Sequence, residues 1–248
     1  MNGSAILFTV LLLFCRIGGC LMIAPGVGNT LIPMQVRLFI AVSATLALTP
    51  LLYDKASAFA NNEPIGMTRA IVFELLTGAA LGMLARLFFS ALETMAFAAA
   101  TLLGLANPFG VEVDQSQSLP PLSTLIALGA TTMIFVADFH WQLIIAIVDS
   151  YRTLPVGSVF DTRRSLVDVG AVLGQSFLIA ARVASPFILY SVIANFAMAL
   201  INKVTPQIAI FFIAPPFIAA GGLGLLYFVI RGQVGQFMQA FSAWLGTG

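Results

Sequence analysis

Seven ionisable side chains fall inside or at the ends of long apolar runs, and they are the residues of this chain most able to do chemistry. An unpaired charge at the centre of a membrane helix costs about 2.5–3.5 kcal/mol, so seven would cost roughly 20 kcal/mol, comparable to or above a typical folding stability. They cannot all face lipid. These candidates for buried ion pairs or assembly contacts are Arg16, Arg37, Glu74, Arg86, Glu93, Asp138 and Arg182.

Both signs of charge occur in this set, so the simplest hypothesis is structural pairing with other helices or other subunits. Arg86 and Glu93 are seven residues apart, which places them two turns apart on one helical face. The alternative is that the charged residues line a path for protons or for a substrate. The sequence favours structural ion pairs and leaves this alternative open.

Other kinds of chemistry find little support. Asp138 and His140 could suggest a metal site, but residues i and i+2 of a helix point to different faces and the chain has a single histidine. We find no nucleophile constellation, P-loop or dinucleotide fingerprint. The net charge of +1, without a Lys/Arg cluster, gives no reason to expect a nucleic-acid partner. We therefore predict no cofactor, no metal and no enzymatic activity.

The elements that must position the charged residues are long hydrophobic helices. Hydrophobic residues make up 60% of the 248 residues and charged residues only 8%, which is typical of an integral membrane protein. We predict an all-α membrane protein, a single membrane domain over residues 1–248 with about six hydrophobic helices, some of them kinked or not fully spanning. Their predicted bounds are about 5–24, 33–52, 66–105, 122–148, 169–201 and 208–230.

Small residues and prolines add detail to this prediction. The Pro215-Pro216 pair should kink or interrupt the sixth helix. Glycines at helical spacing allow backbones to approach closely: Gly78 and Gly82 in the third helix, Gly18 and Gly19 in the first, and Gly221, Gly222 and Gly224 in the sixth. The distribution of Lys and Arg among the loops favours cytoplasmic termini.

Several local strings follow one another along nearly the whole chain. They are Arg16, Pro25-Gly26, IPMQVR ending at Arg37, Glu74 with the glycines after it, PLS at Pro121 to Ser123, FVADFH with Asp138 and His140, LPVG at Leu154 to Gly157, and TPQ at Thr205 to Gln207. In this order and spacing they resemble the FliR/SctT family of the flagellar and type III secretion export apparatus.

The resemblance implies a subunit of a helical export-gate complex, partly raised out of the bilayer, whose lumen passes unfolded substrate proteins. It implies FliP-like and FliQ-like gate subunits and an FlhB-like specificity protein as partners, contact with membrane lipid, and a place in the bacterial inner membrane at a flagellar or secretion basal body. The alternative function is a secondary transporter of the inner membrane, a small-solute permease with its site at the broken sixth helix.

An irregular segment, residues 107–121, separates the third and fourth predicted helices and is the candidate gate loop. Phe109 and Leu119 could obstruct a channel, glycine and prolines hold an irregular path, and glutamines can hydrogen-bond in a wet lumen. A solvated connector is the alternative interpretation, although long loops of this kind are often functional. The candidate gate residues are Asn107, Pro108, Phe109, Gly110, Val111, Gln115, Gln117 and Leu119.

Overall fold

The computed structural model describes residues 3–29, 32–57, 64–104, 121–157, 162–206 and 210–247. Within these ranges the chain is helical apart from turns and contains no strand, so the predicted all-α fold is confirmed. The helices are α1 (Gly3–Ile23), α2 (Met34–Ser57), α3 (Pro64–Leu102), α4 (Pro121–Val136), α5 (Phe139–Thr153), α6 (Thr162–Val204) and α7 (Ile210–Thr247).

The described helices have the length and composition of membrane spans. Five of them are long and apolar enough to cross a bilayer, and α4 with α5 makes a sixth span if this bent pair is counted as one. A hydrocarbon core of about 30 Å needs roughly 20 helical residues. Since α3, α6 and α7 have 39, 43 and 38 residues, each is far longer than one perpendicular crossing requires.

The predicted fourth helix, 122–148, is in fact two helices. A bend of 71° separates α4 from α5, and at this bend Asp138 has a φ of 56°, in the left-handed region. Aspartate is one of the few residues other than glycine that adopts this conformation. The apolar composition continues on both sides of Asp138, so the sequence pattern did not show a break that depends on one backbone torsion.

The predicted sixth helix, 208–230, continues to Thr247 as α7, and the Pro215-Pro216 pair lies inside α7 without interrupting it. The strongly apolar run stops at Ile230, which is why the sequence prediction ended there. Beyond it the helix is amphipathic, since the buried residues Val234, Phe237, Met238 and Phe241 repeat at intervals of three and four.

The chain divides into two compact units. The first contains Met1–Leu87, Ile134–Leu173 and Ser242–Gly248. Its hydrophobic core comes from α1, α2, α3, α5 and the turn after α5, and includes Leu12, Leu13, Ile17, Leu52, Ala70, Ile147, Tyr151 and Val156.

The second unit contains Phe88–Met133 and Gly174–Phe241. Four phenylalanines from α3 and α7 pack edge to face, with ring centroids 5.4–5.7 Å apart: Phe88, Phe89, Phe237 and Phe241. Two side-chain hydrogen bonds connect helices of this unit. The Ser191 hydroxyl donates to the Leu102 carbonyl, and the Tyr190 hydroxyl donates to the Ile218 carbonyl.

Candidate functional site

Arg16 and Glu74 form a bidentate ion pair in the interior of the first unit. The Arg16 Nε donates to Glu74 Oε2 at 2.7 Å and Nη2 donates to Oε1 at 2.8 Å. The two residues are 0% and 1% exposed. The planar guanidinium matches the carboxylate geometry, which a lysine ammonium does not. The pair therefore neutralises two charges that would each be costly to bury alone.

The same guanidinium also holds the end of a third helix. Its Nη1 donates to the Leu154 carbonyl at 2.9 Å and to the Ser150 hydroxyl at 3.3 Å. Leu154 follows the last residue of α5, where carbonyl groups near a helix end lack a helical donor. With the described residues alone, Arg16 thus uses four of its five N–H donors and joins α1, α3 and the end of α5.

Tyr151 completes the environment of the cation. The Arg16 Cζ lies 4.0 Å from the centroid of the Tyr151 ring, a cation–π contact. The Tyr151 hydroxyl is buried and finds no hydrogen-bond partner among the residues that the structure describes. We name the cluster of Arg16, Glu74, Ser150, Tyr151 and the Leu154 carbonyl the Arg16 node.

Replacing Tyr151 by phenylalanine should leave stability almost unchanged, because the ring over Arg16 remains and the lost hydroxyl donates no observed bond. Replacing it by alanine should cost about 3–5 kcal/mol, as for other large buried aromatic residues. Thermal unfolding of the purified protein in detergent, followed for both variants, checks this difference. A phenylalanine variant as unstable as the alanine variant would show that the hydroxyl has a necessary partner.

Glycines bring α1 and α3 into backbone contact beside the node. A Cβ on Gly78 would collide with the Arg16 carbonyl oxygen, and one on Gly82 would lie 2.5 Å from the Cys20 carbonyl oxygen. From the other side, a Cβ on Gly19 would lie 3.2 Å from the Leu75 carbonyl oxygen. The close approach predicted from these glycines occurs here, and it brings Arg16 within reach of Glu74.

The other five charged candidates lie elsewhere. Arg37 is half-buried and its Nε donates to the Ile32 carbonyl at 2.9 Å, just before α2. Glu93 is half-buried, and the exposed members are Arg86, Asp138 and Arg182. Within the described ranges, Arg16–Glu74 is the one ion pair that the set forms. For the five others a role in assembly stays a prediction.

All eight candidate gate residues lie outside the described residues, which end at Gly104 before this segment and begin again at Pro121. The sequence analysis, in turn, missed Ser150 and Tyr151. They contact Arg16 across more than 130 positions of chain, and no local pattern marks them. The LPVG string pointed to Leu154 but not to its carbonyl as an acceptor.

Nearly the whole chain matches one known protein family. Residues 7–244 match the family described as bacterial export proteins, family 1. The chain belongs to this family. The matched range includes Arg16, Glu74, Tyr151 and the LPVG string. The whole Arg16 node of this export protein therefore lies within the residues that match the family.

Relatives of this export protein come from two kinds of secretion system. It is 29% identical to the flagellar biosynthetic protein FliR of Caulobacter vibrioides over 94% of this chain and 93% of the relative. It is 26% identical to FliR of Escherichia coli, over 85% of this chain and 80% of the relative. It is 29% identical to the Yop proteins translocation protein T of Yersinia pestis, over 85% of this chain and 81% of the relative. The FliR/SctT resemblance is confirmed, and the chain is a membrane-embedded subunit of an export apparatus.

Proposed function

We propose that this export protein is a structural and gating subunit of the flagellar or type III export gate, and that it forms part of the channel through which unfolded substrate proteins are exported. The observation that carries the proposal is the family match over residues 7–244, with relatives named for flagellar biosynthesis and for Yop protein translocation. Both kinds of relative are named for systems that build flagella or translocate proteins, which agrees with a subunit of an export apparatus. The secondary transporter has no support among these relatives.

The geometry of the Arg16 node supports a structural role for the charges. A proton or substrate path needs contact with water, whereas Arg16 and Glu74 are both enclosed and already bonded to each other. Breaking such a pair would leave an uncompensated buried charge. The node therefore suits a joint that holds three helices together while other parts of the molecule move or bind.

The exposed surface supports assembly with other subunits in a membrane. Large apolar side chains are exposed on every described helix, among them Leu7, Phe39, Ile65, Leu125, Trp141, Phe196 and Phe228. So much apolar surface needs lipid or protein to cover it. We propose that FliP-like and FliQ-like subunits cover part of it, beside an FlhB-like protein, in the bacterial inner membrane.

Residues 107–121 form the gate in this proposal, and Phe109 tests it. We expect replacement of Phe109 by glycine to increase leakage of small solutes through the assembled complex, because the obstructing ring is lost. Assembly should be preserved. Replacement by leucine is the matched control, since it keeps an apolar side chain that can still obstruct the channel. Leakage is measured as solute entry into cells or vesicles carrying the complex, and equal leakage in all three proteins would remove the gate assignment.

A further inference from the structure

In the second unit, a side-chain hydrogen bond joins α6 to α7, and each of the two helices is far longer than one perpendicular crossing of a bilayer needs. The Tyr190 hydroxyl donates to the Ile218 carbonyl at 3.1 Å, which fixes their register. At 1.5 Å per residue their 43 and 38 residues are about 65 and 57 Å long. A hydrocarbon core is about 30 Å thick, so a helix of this length that crosses it at the usual tilt of about 20° extends beyond it.

One face of α6 indicates where this helix enters and leaves the hydrocarbon core. Arg182 and Lys203 are 21 positions apart on this face, about 32 Å along the helix axis. Between them the face exposes large apolar side chains, namely Leu189, Val192, Ile193, Phe196 and Leu200. Ser191 is buried on the opposite face, where its hydroxyl donates to the Leu102 carbonyl, and the amide of the exposed Asn195 donates to the Ser191 carbonyl and hydroxyl oxygens. The band free of charge is therefore as thick as a hydrocarbon core.

The exposed face of α7 changes from aromatic and apolar residues to polar residues and glycines at about the depth of Arg182. Phe217 is 73% exposed, and Tyr227 and Phe228 are 80% and 81% exposed, with their rings edge to face at 5.3 Å. Arg231 follows one turn later, and beyond it the exposed residues are Gly232, Gly235, Gln236, Gln239 and Ala243 among those whose burial is described. Counted from the Tyr190–Ile218 bond, Arg182 is eight positions away on α6 and Tyr227 nine on α7. The two residues therefore lie at about the same depth.

We propose that this hairpin carries a lipid-facing belt, the exposed apolar face of α6 and α7 between Lys203 at one border and Arg182, Tyr227 and Arg231 at the other. A partner protein would not require the apolar band to match the bilayer thickness or to end in cations on both sides. Lipid accounts for both, since basic side chains reach phosphate groups and aromatic residues collect at the interface. The rest of α6 and the amide-bearing end of α7 project beyond the hydrocarbon.

Single spin labels test the belt in the complex isolated with its neighbouring export subunits, reconstituted in vesicles of phosphatidylethanolamine and phosphatidylglycerol. In a cysteine-free background, labels are placed at Leu189, Phe196 and Leu200 in the belt and at Gln236 and Gln239 beyond it. Ala184, buried in the second unit, is the control for a site enclosed by protein. Collisions with oxygen, which dissolves in lipid, are compared with collisions with a water-soluble nickel chelate.

The belt predicts frequent oxygen collisions and loss of nickel collisions at all three belt positions, with recovery of nickel collisions at Gln236 and Gln239. Three belt labels are used so that a single variant that fails to assemble does not decide the test. Belt labels as inaccessible to both reagents as the Ala184 control would overturn the proposal in favour of a protein partner. Nickel collisions at the belt positions would overturn it in favour of a water-filled surface. The export function proposed above would survive either result.

Discussion

Replacing Glu74 by alanine is expected to abolish most assembly of the export complex. Arg16 would remain fully buried with its main acceptor removed, and breaking a buried ion pair from one side costs about 3–5 kcal/mol. That is a large part of the 5–15 kcal/mol that typically stabilises a protein. The measurement is the yield of intact complex after purification in detergent, together with its thermal unfolding midpoint.

Two further variants separate a structural joint from a proton path. Replacing the exposed Asp54, which is not among the seven candidates, by alanine removes a carboxylate that has no observed ion pair among the described residues, so this control should assemble normally. Replacing Arg16 by methionine and Glu74 by leucine together removes both charges and should restore much of the yield, because apolar residues of similar volume can replace a buried pair at little cost. A double variant that assembles fully but exports nothing would contradict a purely structural role.

A single methyl group on Gly78 should be nearly as damaging. The alanine Cβ would collide with the Arg16 carbonyl oxygen, and a backbone atom cannot move aside as a flexible side chain can. Helices α1 and α3 would have to separate, which lengthens the bonds between Arg16 and Glu74. We expect a loss of about 1–3 kcal/mol from overpacking alone and more if the ion pair breaks, measured as a lower unfolding midpoint and complex yield.

The matched control is Gly129 of α4, which also lies within a helix. A Cβ at Gly129 would meet no atom within 4 Å, and alanine in a helix is more stable than glycine by roughly 0.5–1 kcal/mol. The Gly129→Ala variant should therefore be as stable as the original protein or slightly more stable. If Gly78→Ala behaves like Gly129→Ala, the close contact of α1 and α3 is wrong.

Much of the fold follows from the sequence because lipid offers no hydrogen bonds to the backbone. Long apolar runs located the helices, since every backbone group in a bilayer must be bonded internally. The Gly78-x3-Gly82 spacing indicated a close contact, and the structure places it against α1. The cost of burying charge identified Arg16 and Glu74 as members of a set that needs partners, but it did not say which member pairs with which.

The remaining details depend on contacts between distant residues or on single torsions. The left-handed Asp138 bends α4 against α5 within a continuous apolar run. The end of α7 is amphipathic, and its helix shows only in the spacing of buried residues such as Phe237 and Phe241. Tyr151 looks like an ordinary aromatic residue in the sequence, and its role over Arg16 depends on a fold that brings α5 to α1.

The central claim is that this chain works as one subunit of a larger export assembly and not alone. It is tested most directly by purifying the tagged full chain in mild detergent, with and without co-expression of the neighbouring export subunits, and measuring the mass of what elutes. We predict a large complex that contains this chain as a minor component, and an unstable or aggregated protein when it is expressed by itself. A stable monomer that moves a small solute into vesicles by itself would contradict the account.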